Sequence, residues 1–501
     1  SRWVEPILQQ AKSLEDKIKV YELQVFSLQA QNRLQEAIDT ALGVLKQLDI
    51  FLPAHPNKIQ VLLKLGETKL KLLGKTQDLI HLPTMNQSKA KAAMQILSSA
   101  LSTTYIARPD LLPFNVFEQV KLSLKYGNTN LSAFAYSWYA LILSGVLQDI
   151  ESGYQFAKLA LELLEKFGAK EIRCRTLFMV YCFVYHWHEP LGDTIAPLRT
   201  AYTIGLESGD LEYACWSLAS LSIHQLFIGE ELSTLSQEFD SYRKSAFEFK
   251  QSNPYLYVSI LHQTVSNLLG YAANPSRLEG DSYKASESIA QQQQSKDGTG
   301  LSIMMSTQIF LSYLFADYQY AYTISQEAIP YLEAGTGLHS LGAFHFYESL
   351  VYLAIYPTLD VQAKKEIKRK FAASKLLISK WAKHSPTIYQ HKRLLILAEE
   401  KRVYGKYQDA ATLYEQAIAG ANKNGYIHEE GLANELAAKF YLEWDKVKAA
   451  QAYMQAAYFC YAKWGAKAKI DDLEQRYPQL IKPIIEQRRS SFNHLETIAT
   501  I

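Results

Sequence analysis

Small and large apolar residues recur at helical spacing along most of the chain, and the clearest examples lie in its last quarter. Two copies of the pattern are Ala410, Tyr414, Ala417 and Ile418, and then Ala449, Tyr453, Ala456 and Ala457, 39 positions later (449 − 410). Offsets of four and seven fall on one face of an α-helix. Because small side chains let a second helix approach closely while the aromatic ring fills the groove between them, the pattern predicts packed helix pairs.

Weaker copies of the same stripe recur through the rest of the chain. They begin at Ala37, Ala93, Gly153, Ala196 and Ala321. A unit length near 40 residues is typical of stacked helical hairpins such as tetratricopeptide repeats (TPR), which bury their apolar faces against their neighbours. The pattern therefore predicts an all-α fold, a right-handed TPR-like α-solenoid of roughly a dozen helix pairs.

The same reasoning predicts the domain organisation. We expect one helical-repeat domain over residues 1–480, with sub-arrays near 1–110, 115–295 and 300–480, followed by a linker over residues 481–501. The 15 prolines are scattered at the expected unit junctions, which suits helices broken at intervals. A sheet is not expected, because alternating β-branched residues bounded by tight turns are absent from the sequence.

The balance of charges limits the classes of partner that the chain is expected to bind. The chain carries 52 basic and 50 acidic residues, so no broad basic face for nucleic acid is expected. The densest basic run, residues 364–370, is interpreted as the solvated side of an amphipathic helix, with an acidic partner or a membrane surface as the alternative.

Cysteine usage and the first residues indicate the compartment. The four cysteines form no Cys-x-x-Cys pair, which favours reduced, buried thiols in a cytoplasmic protein. Trp3, Glu5 and Pro6 interrupt the apolar run that a signal peptide needs. Residues 131–147 carry no charge, but serines and tyrosines along them favour a buried solenoid helix over a membrane span.

No motif supports catalysis, and we expect neither an enzyme active site nor a cofactor. Gly74 and Lys75 resemble the end of a phosphate-binding loop, but Lys69 stands where that motif requires its first glycine. His186 and His188 could supply two metal ligands, whereas a zinc site needs three or four, so no metal site is expected.

Aromatic content points to a binding surface instead. The 33 Tyr, 7 Trp and 21 Phe residues mostly pack between helices, but some are expected to line the concave surface and contact a peptide or a small ligand. We predict partner or ligand binding where aromatic and polar groups coincide, at His186, Trp187, Phe344, His345 and Tyr347.

Two stretches carry a family resemblance. They are residues 344–350 (FHFYESL) and residues 461–466 (YAKWGA). With weaker matches over roughly residues 15–480, they resemble the helical repeats of bacterial and fungal multidomain hybrid Ser/Thr and histidine kinases. In that family, a Ser/Thr-kinase-like domain and a STAND-type (AAA-like) ATPase precede the repeats, and a GAF sensor and a histidine kinase follow them.

The resemblance implies a function without catalysis in this segment. It implies a scaffold that binds a protein partner or an adjacent domain and relays state between an ATPase module and a sensor histidine kinase. The family's kinase motifs, phosphate-binding loop and phosphoacceptor histidine match nothing in the chain. The alternative is a small-molecule-sensing superhelical repeat domain, as in STAND transcription activators.

Overall fold

In the computed structural model, the described residues are 13–31, 33–54, 56–72 and 76–481, and most of them are α-helical. These ranges contain no β-strand and only two isolated bridges, Thr84 to Asn128 and Glu279 to Lys284. The predicted all-α solenoid is thereby confirmed. Several predictions lie outside the described residues: the linker at 481–501 except for Ile481, the start of the chain at residues 1–12, and the Gly74-Lys75 pair.

The chain divides into two compact units. One comprises residues 1–185 and 203–210, and the other comprises residues 186–202 and 211–501. The three predicted sub-arrays stay a prediction.

The first unit is a series of helices in which chain neighbours pack on one another. Its α-helices are α1 (Leu14–Ala30), α2 (Leu34–Gln47), α3 (Lys58–Leu72), α4 (Ser88–Ser99), α5 (Leu101–Ala107), α6 (Leu112–Tyr126), α7 (Asn130–Leu141), α8 (Ile150–Phe167) and α9 (Arg173–Phe183). Helix α8 shows how the local sequence sets where a helix begins and ends. Asp149 caps α8 by accepting a hydrogen bond from the Ser152 amide, and Gly168 ends the helix in a left-handed conformation at φ +56°.

The second unit continues the series. Helix α10 (Ile195–Ser208) begins in it, followed by α11 (Leu211–Ile228), α12 (Leu232–Glu248), α13 (Ser252–Leu269), α14 (Ala285–Gln294), α15 (Gly298–Leu314), α16 (Tyr318–Glu327), α17 (His339–Ile355), α18 (Val361–His384), α19 (Pro386–Val403), α20 (Tyr407–Lys423), α21 (Ile427–Glu443), α22 (Val447–Trp464) and α23 (Lys467–Arg476). Helix pairs such as α19 with α20 and α21 with α22 pack along each other.

Helices far apart in the chain also meet inside this second unit. Helix α11 contacts α17, and α13 contacts α23. Lys469 of α23 donates a hydrogen bond to the carbonyl oxygen of Leu314 at 2.6 Å. The interior of this unit is therefore filled by side chains from helices that are not sequence neighbours.

The buried faces test the stripe read from the sequence. In α20 the prediction is right for Ala410, Tyr414 and Ala417, which are all buried, while Ile418 is partly exposed. In α22 the predicted register is wrong by one residue, since Ala450, Met454 and Ala457 are buried while Ala449, Tyr453 and Ala456 are partly exposed. The interval between the two buried faces is 40 residues (450 − 410). The weak copy at Ala196 is also wrong, because Ala196, Thr200 and Thr203 are exposed.

Candidate functional site

The two predicted residues that begin the second unit lie deep in its interior. His186 and Trp187 belong to a 3-10 turn and are 0% and 2% exposed. The Trp187 ring stacks on Tyr389 with 5.9 Å between ring centroids, and it also contacts Trp381 at 5.0 Å. Its indole nitrogen donates a hydrogen bond to the Gly337 carbonyl oxygen at 3.3 Å. Both rings are therefore fully enclosed by protein.

The three predicted residues of α17 join the same cluster. Phe344 and Tyr347 are buried, and Tyr347 contacts Phe310 with 5.1 Å between ring centroids. His345 is partly exposed, and its Nδ1 lies 3.0 Å from the Glu348 carboxylate. The His345 ring also contacts Trp381, the same tryptophan that packs on Trp187. The structure thus brings the predicted residues into one aromatic cluster, with only His345 reaching the surface.

The burial of most of these predicted residues limits how they can contact a ligand. A side chain with almost no exposed surface contributes through packing, and it meets a ligand only if the surrounding helices separate. The binding role of His186, Trp187, Phe344, His345 and Tyr347 therefore stays a prediction.

Three histidines pack together beside this cluster. The ring of His186 lies 5.3 Å from that of His224 and 5.4 Å from that of His339. Burial lowers the pKa of His224 to about 3 and lowers the pKa of His186 and of His339 well below the ordinary value. All three rings are consequently neutral near pH 7. In the ranges that the structure describes, no group of three or more His, Cys, Asp or Glu side chains is placed to hold a metal ion.

A buried ionic cluster connects α19 and α21. The Lys392 ammonium lies 2.7 Å from a Glu429 carboxylate oxygen, and His391 contacts the same oxygen. Burial alone would raise the pKa of Glu429, but Lys392 and His391 outweigh it and hold that pKa well below its ordinary value. Lys392 is 1% exposed and Glu429 is 2% exposed, so the charges compensate each other without help from water.

A polar cavity of about 130 Å³ opens between helices of the second unit. Its walls are Tyr313, Tyr318, Ala354, Glu399, Arg402, Leu436, Lys439 and Glu443. Arg402 is the centre of its charge network, because its guanidinium donates to Glu399 at 2.8 Å and to Glu443 at 3.0 Å. Two cations, two carboxylates and two phenols therefore face a common space, an arrangement suited to binding a small polar molecule.

Sequence reasoning missed both the ionic cluster and the cavity. A signal was present in α19, where Lys392, Ile396 and Glu399 are spaced by four and seven positions and share one helix face. A lysine and a glutamate on a face that also carries a buried isoleucine predict internal ion pairs, since such charges are rarely buried unpaired.

Comparison with known proteins gives a partial match to a signalling protein. Over 154 residues, 30% of the chain, it is 23% identical to "Hybrid signal transduction histidine kinase G" of Dictyostelium discoideum. The match covers 4% of that protein, so the chain spans only a small part of its length. No family model matches the chain.

Among solved structures, one match is described as a circular tandem repeat protein with novel repeat topology and enhanced subunit contact surfaces. It is 13% identical and covers 96% of each chain, but its TM-score of 0.13 supports no argument about this fold. Within the described ranges, none of the helices is both long enough and apolar enough to cross a lipid bilayer.

Proposed function

We propose that the chain is the helical-repeat segment of a signalling multi-kinase, which binds a protein partner or an adjacent domain. In this role it relays state between a STAND-type ATPase module and a sensor histidine kinase. The similarity to a hybrid histidine kinase is the observation that carries the proposal. The family resemblance of residues 344–350 and 461–466 and the stacked helices support it.

The contacts of α23 supply a physical means of relay. Lys469 of α23 is buried and joins three groups: the Leu314 carbonyl at 2.6 Å, Glu435 at 3.1 Å and Asp472 at 2.9 Å. Arg476 of the same helix donates to the Phe315 carbonyl oxygen. Because these carbonyls end α15, a force on α23 displaces a helix more than 150 positions earlier in the chain.

The test uses the full-length polypeptide that the gene encodes. Sequencing its transcript should reveal ATPase and histidine-kinase modules beside this segment. Lys469→Met should then change the rate of histidine autophosphorylation several-fold, because it removes the buried hydrogen bond from α23 to the end of α15. The matched control is Lys467→Met, an exposed position of α23 whose lysine pairs only with Asp471 within the described residues. A transcript without kinase modules, or equal rates in a folded Lys469→Met protein, would overturn the proposal.

The polar cavity favours a second candidate function, small-molecule sensing. A recessed space with convergent polar groups is the feature that separates a ligand pocket from an open groove. A thermal-shift screen with metabolites tests it, since a ligand at a hundred times its dissociation constant adds about 2.7 kcal/mol of stability. If no compound in the library changes the melting temperature, this function is contradicted, while the relay proposal stays in place.

A further inference from the structure

The cavity between α15, α16, α17, α19 and α21 contains hydrogen-bonding capacity that the described residues do not use. A guanidinium has five N–H groups and an ammonium has three. Arg402 directs its bonds to Glu399 and Glu443, and Lys439 pairs with Glu435 at 2.7 Å. Each cation therefore keeps about two N–H groups for another acceptor.

The phenols on the opposite wall are also available. Tyr313 and Tyr318 pack together with 5.3 Å between ring centroids. Neither hydroxyl forms a hydrogen bond with a described residue, although Tyr313 is 2% exposed. Both hydroxyls can therefore bond to a ligand in this space.

Acceptors and apolar surface complete the wall. Glu443 is 44% exposed at its side chain. Among the described residues it accepts only from Arg402 and, at 3.3 Å, from the Tyr407 hydroxyl, so it retains lone pairs for a cation. Leu436 and Ala354 present hydrocarbon between the charged groups.

We propose that this cavity binds a small zwitterion of the α-amino acid class. The ligand carboxylate pairs with Arg402 and Lys439, its ammonium faces Glu443 and the phenols, and its side chain lies against Leu436. The inference rests on the small-molecule-sensing function proposed above and adds the class of ligand.

Three features favour this ligand over others. Burial lowers the pKa of Lys439 but Glu435 more than reverses that effect, so the ammonium stays charged. The two cations and two carboxylates of the wall balance each other, which suits a ligand without net charge. A space of about 130 Å³ holds several waters or one small organic molecule.

The experiment is calorimetric titration of the chain with L-alanine, L-serine, L-valine and L-leucine, one at a time. For valine, two matched compounds each lack one charge: isovalerate has no ammonium and isobutylamine has no carboxylate. Both should bind at least tenfold more weakly than valine. If none of the four amino acids binds at millimolar concentration, or if either compound binds as tightly as valine, the proposal is wrong.

Two variants locate the site. Lys439→Met removes one of the two cations that pair with the ligand carboxylate, so it should weaken binding at least tenfold. Leu436→Phe should abolish binding by filling the space. Lys448→Met is the matched control, because Lys448 is exposed on α22 and should leave binding unchanged. Amino acid binding that survives both cavity variants in folded protein would place the ligand elsewhere and overturn the assignment.

The outcomes separate the ligand class from the sensing function. If no amino acid binds, but a metabolite raises the melting temperature and Leu436→Phe removes that shift, the cavity is a sensor for a different class. If nothing shifts the melting temperature, both the ligand class and the sensing function fail.

Discussion

Replacing Glu429 by glutamine is the sharpest perturbation of the second unit. The carboxylate lies 2.7 Å from the Lys392 ammonium, and both side chains are almost completely buried. The Lys392 ammonium also donates a hydrogen bond to a backbone acceptor, the Ile388 carbonyl oxygen, at 3.1 Å. Glu429→Gln keeps the shape of the side chain but leaves the ammonium without a counter-charge.

The expected cost follows from that imbalance. Breaking a buried ion pair by removing one partner costs about 3–5 kcal/mol, because the remaining charge stays desolvated. That is a large fraction of the 5–15 kcal/mol that typically stabilises a folded domain. Removing both charges, as in Lys392→Met with Glu429→Gln, should cost less than Glu429→Gln alone, since no unpaired ion is then buried.

The pH dependence has a definite sign. Because the pKa of Glu429 is depressed in the folded protein, its contribution is fully present above the unfolded value of about 4.5 and is lost only as pH falls through the lower folded value. In Glu429→Gln the dominant effect is on Lys392, whose pKa burial already lowers from 10.5. A lysine with a depressed folded pKa destabilises the protein at neutral pH, and stability returns as pH rises toward 10.5.

Urea denaturation followed by tryptophan fluorescence at pH 7 and pH 9.5 measures both effects. We expect Glu429→Gln to be about 3–5 kcal/mol less stable than the native protein at pH 7 and to recover part of this at pH 9.5. Glu415→Gln, on an exposed position of α20, is the control and should lie within about 0.5 kcal/mol of the native protein. A Glu429→Gln protein as stable as the control at pH 7 would refute the reasoning.

Three further predictions concern the aromatic and histidine clusters. Trp187→Ala and Tyr347→Ala should each lower the free energy of unfolding by about 3–5 kcal/mol, since both side chains are buried; unchanged melting temperatures would show that they are not packing residues. His224 has a pKa of about 3 when folded and about 6.5 when unfolded, so it costs about 1.4 kcal/mol of stability per pH unit as pH falls from 6.5 toward 3. Urea titrations at pH 6.5 and 5 should show a smaller loss in His224→Gln, and equal losses would contradict the assignment. Gly342→Ala should lower the free energy of unfolding by about 1–3 kcal/mol, because the added carbon would lie 2.3 Å from the Tyr389 hydroxyl oxygen. In thermal denaturation, adding Tyr389→Phe should recover part of that loss. No recovery would exclude this clash as the cause.

The sequence by itself predicted an all-helical chain and, in helices such as α20, much of the buried face. Helical spacing of apolar residues predicts α20 and the burial of Ala410, Tyr414 and Ala417, because a 3.6-residue turn places them on one side. The same spacing left α22 one residue out of register, since small residues at Ala449 and Ala450 offer two adjacent faces and only packing selects between them. The sequence singled out Trp187 and Tyr347 as aromatic binding residues, but it did not predict that both side chains are buried.

Only the tertiary structure decided where charge is placed inside the protein. Lys392 and Glu429 are 37 positions apart, and the cavity takes its walls from five helices between Tyr313 and Glu443. Spacing along the chain fixes the direction of a side chain relative to its own helix. It does not fix which helices meet, because that depends on the sum of packing contacts over the whole unit. Ion pairs and a polar cavity therefore follow from the assembly of the helices and not from any one of them.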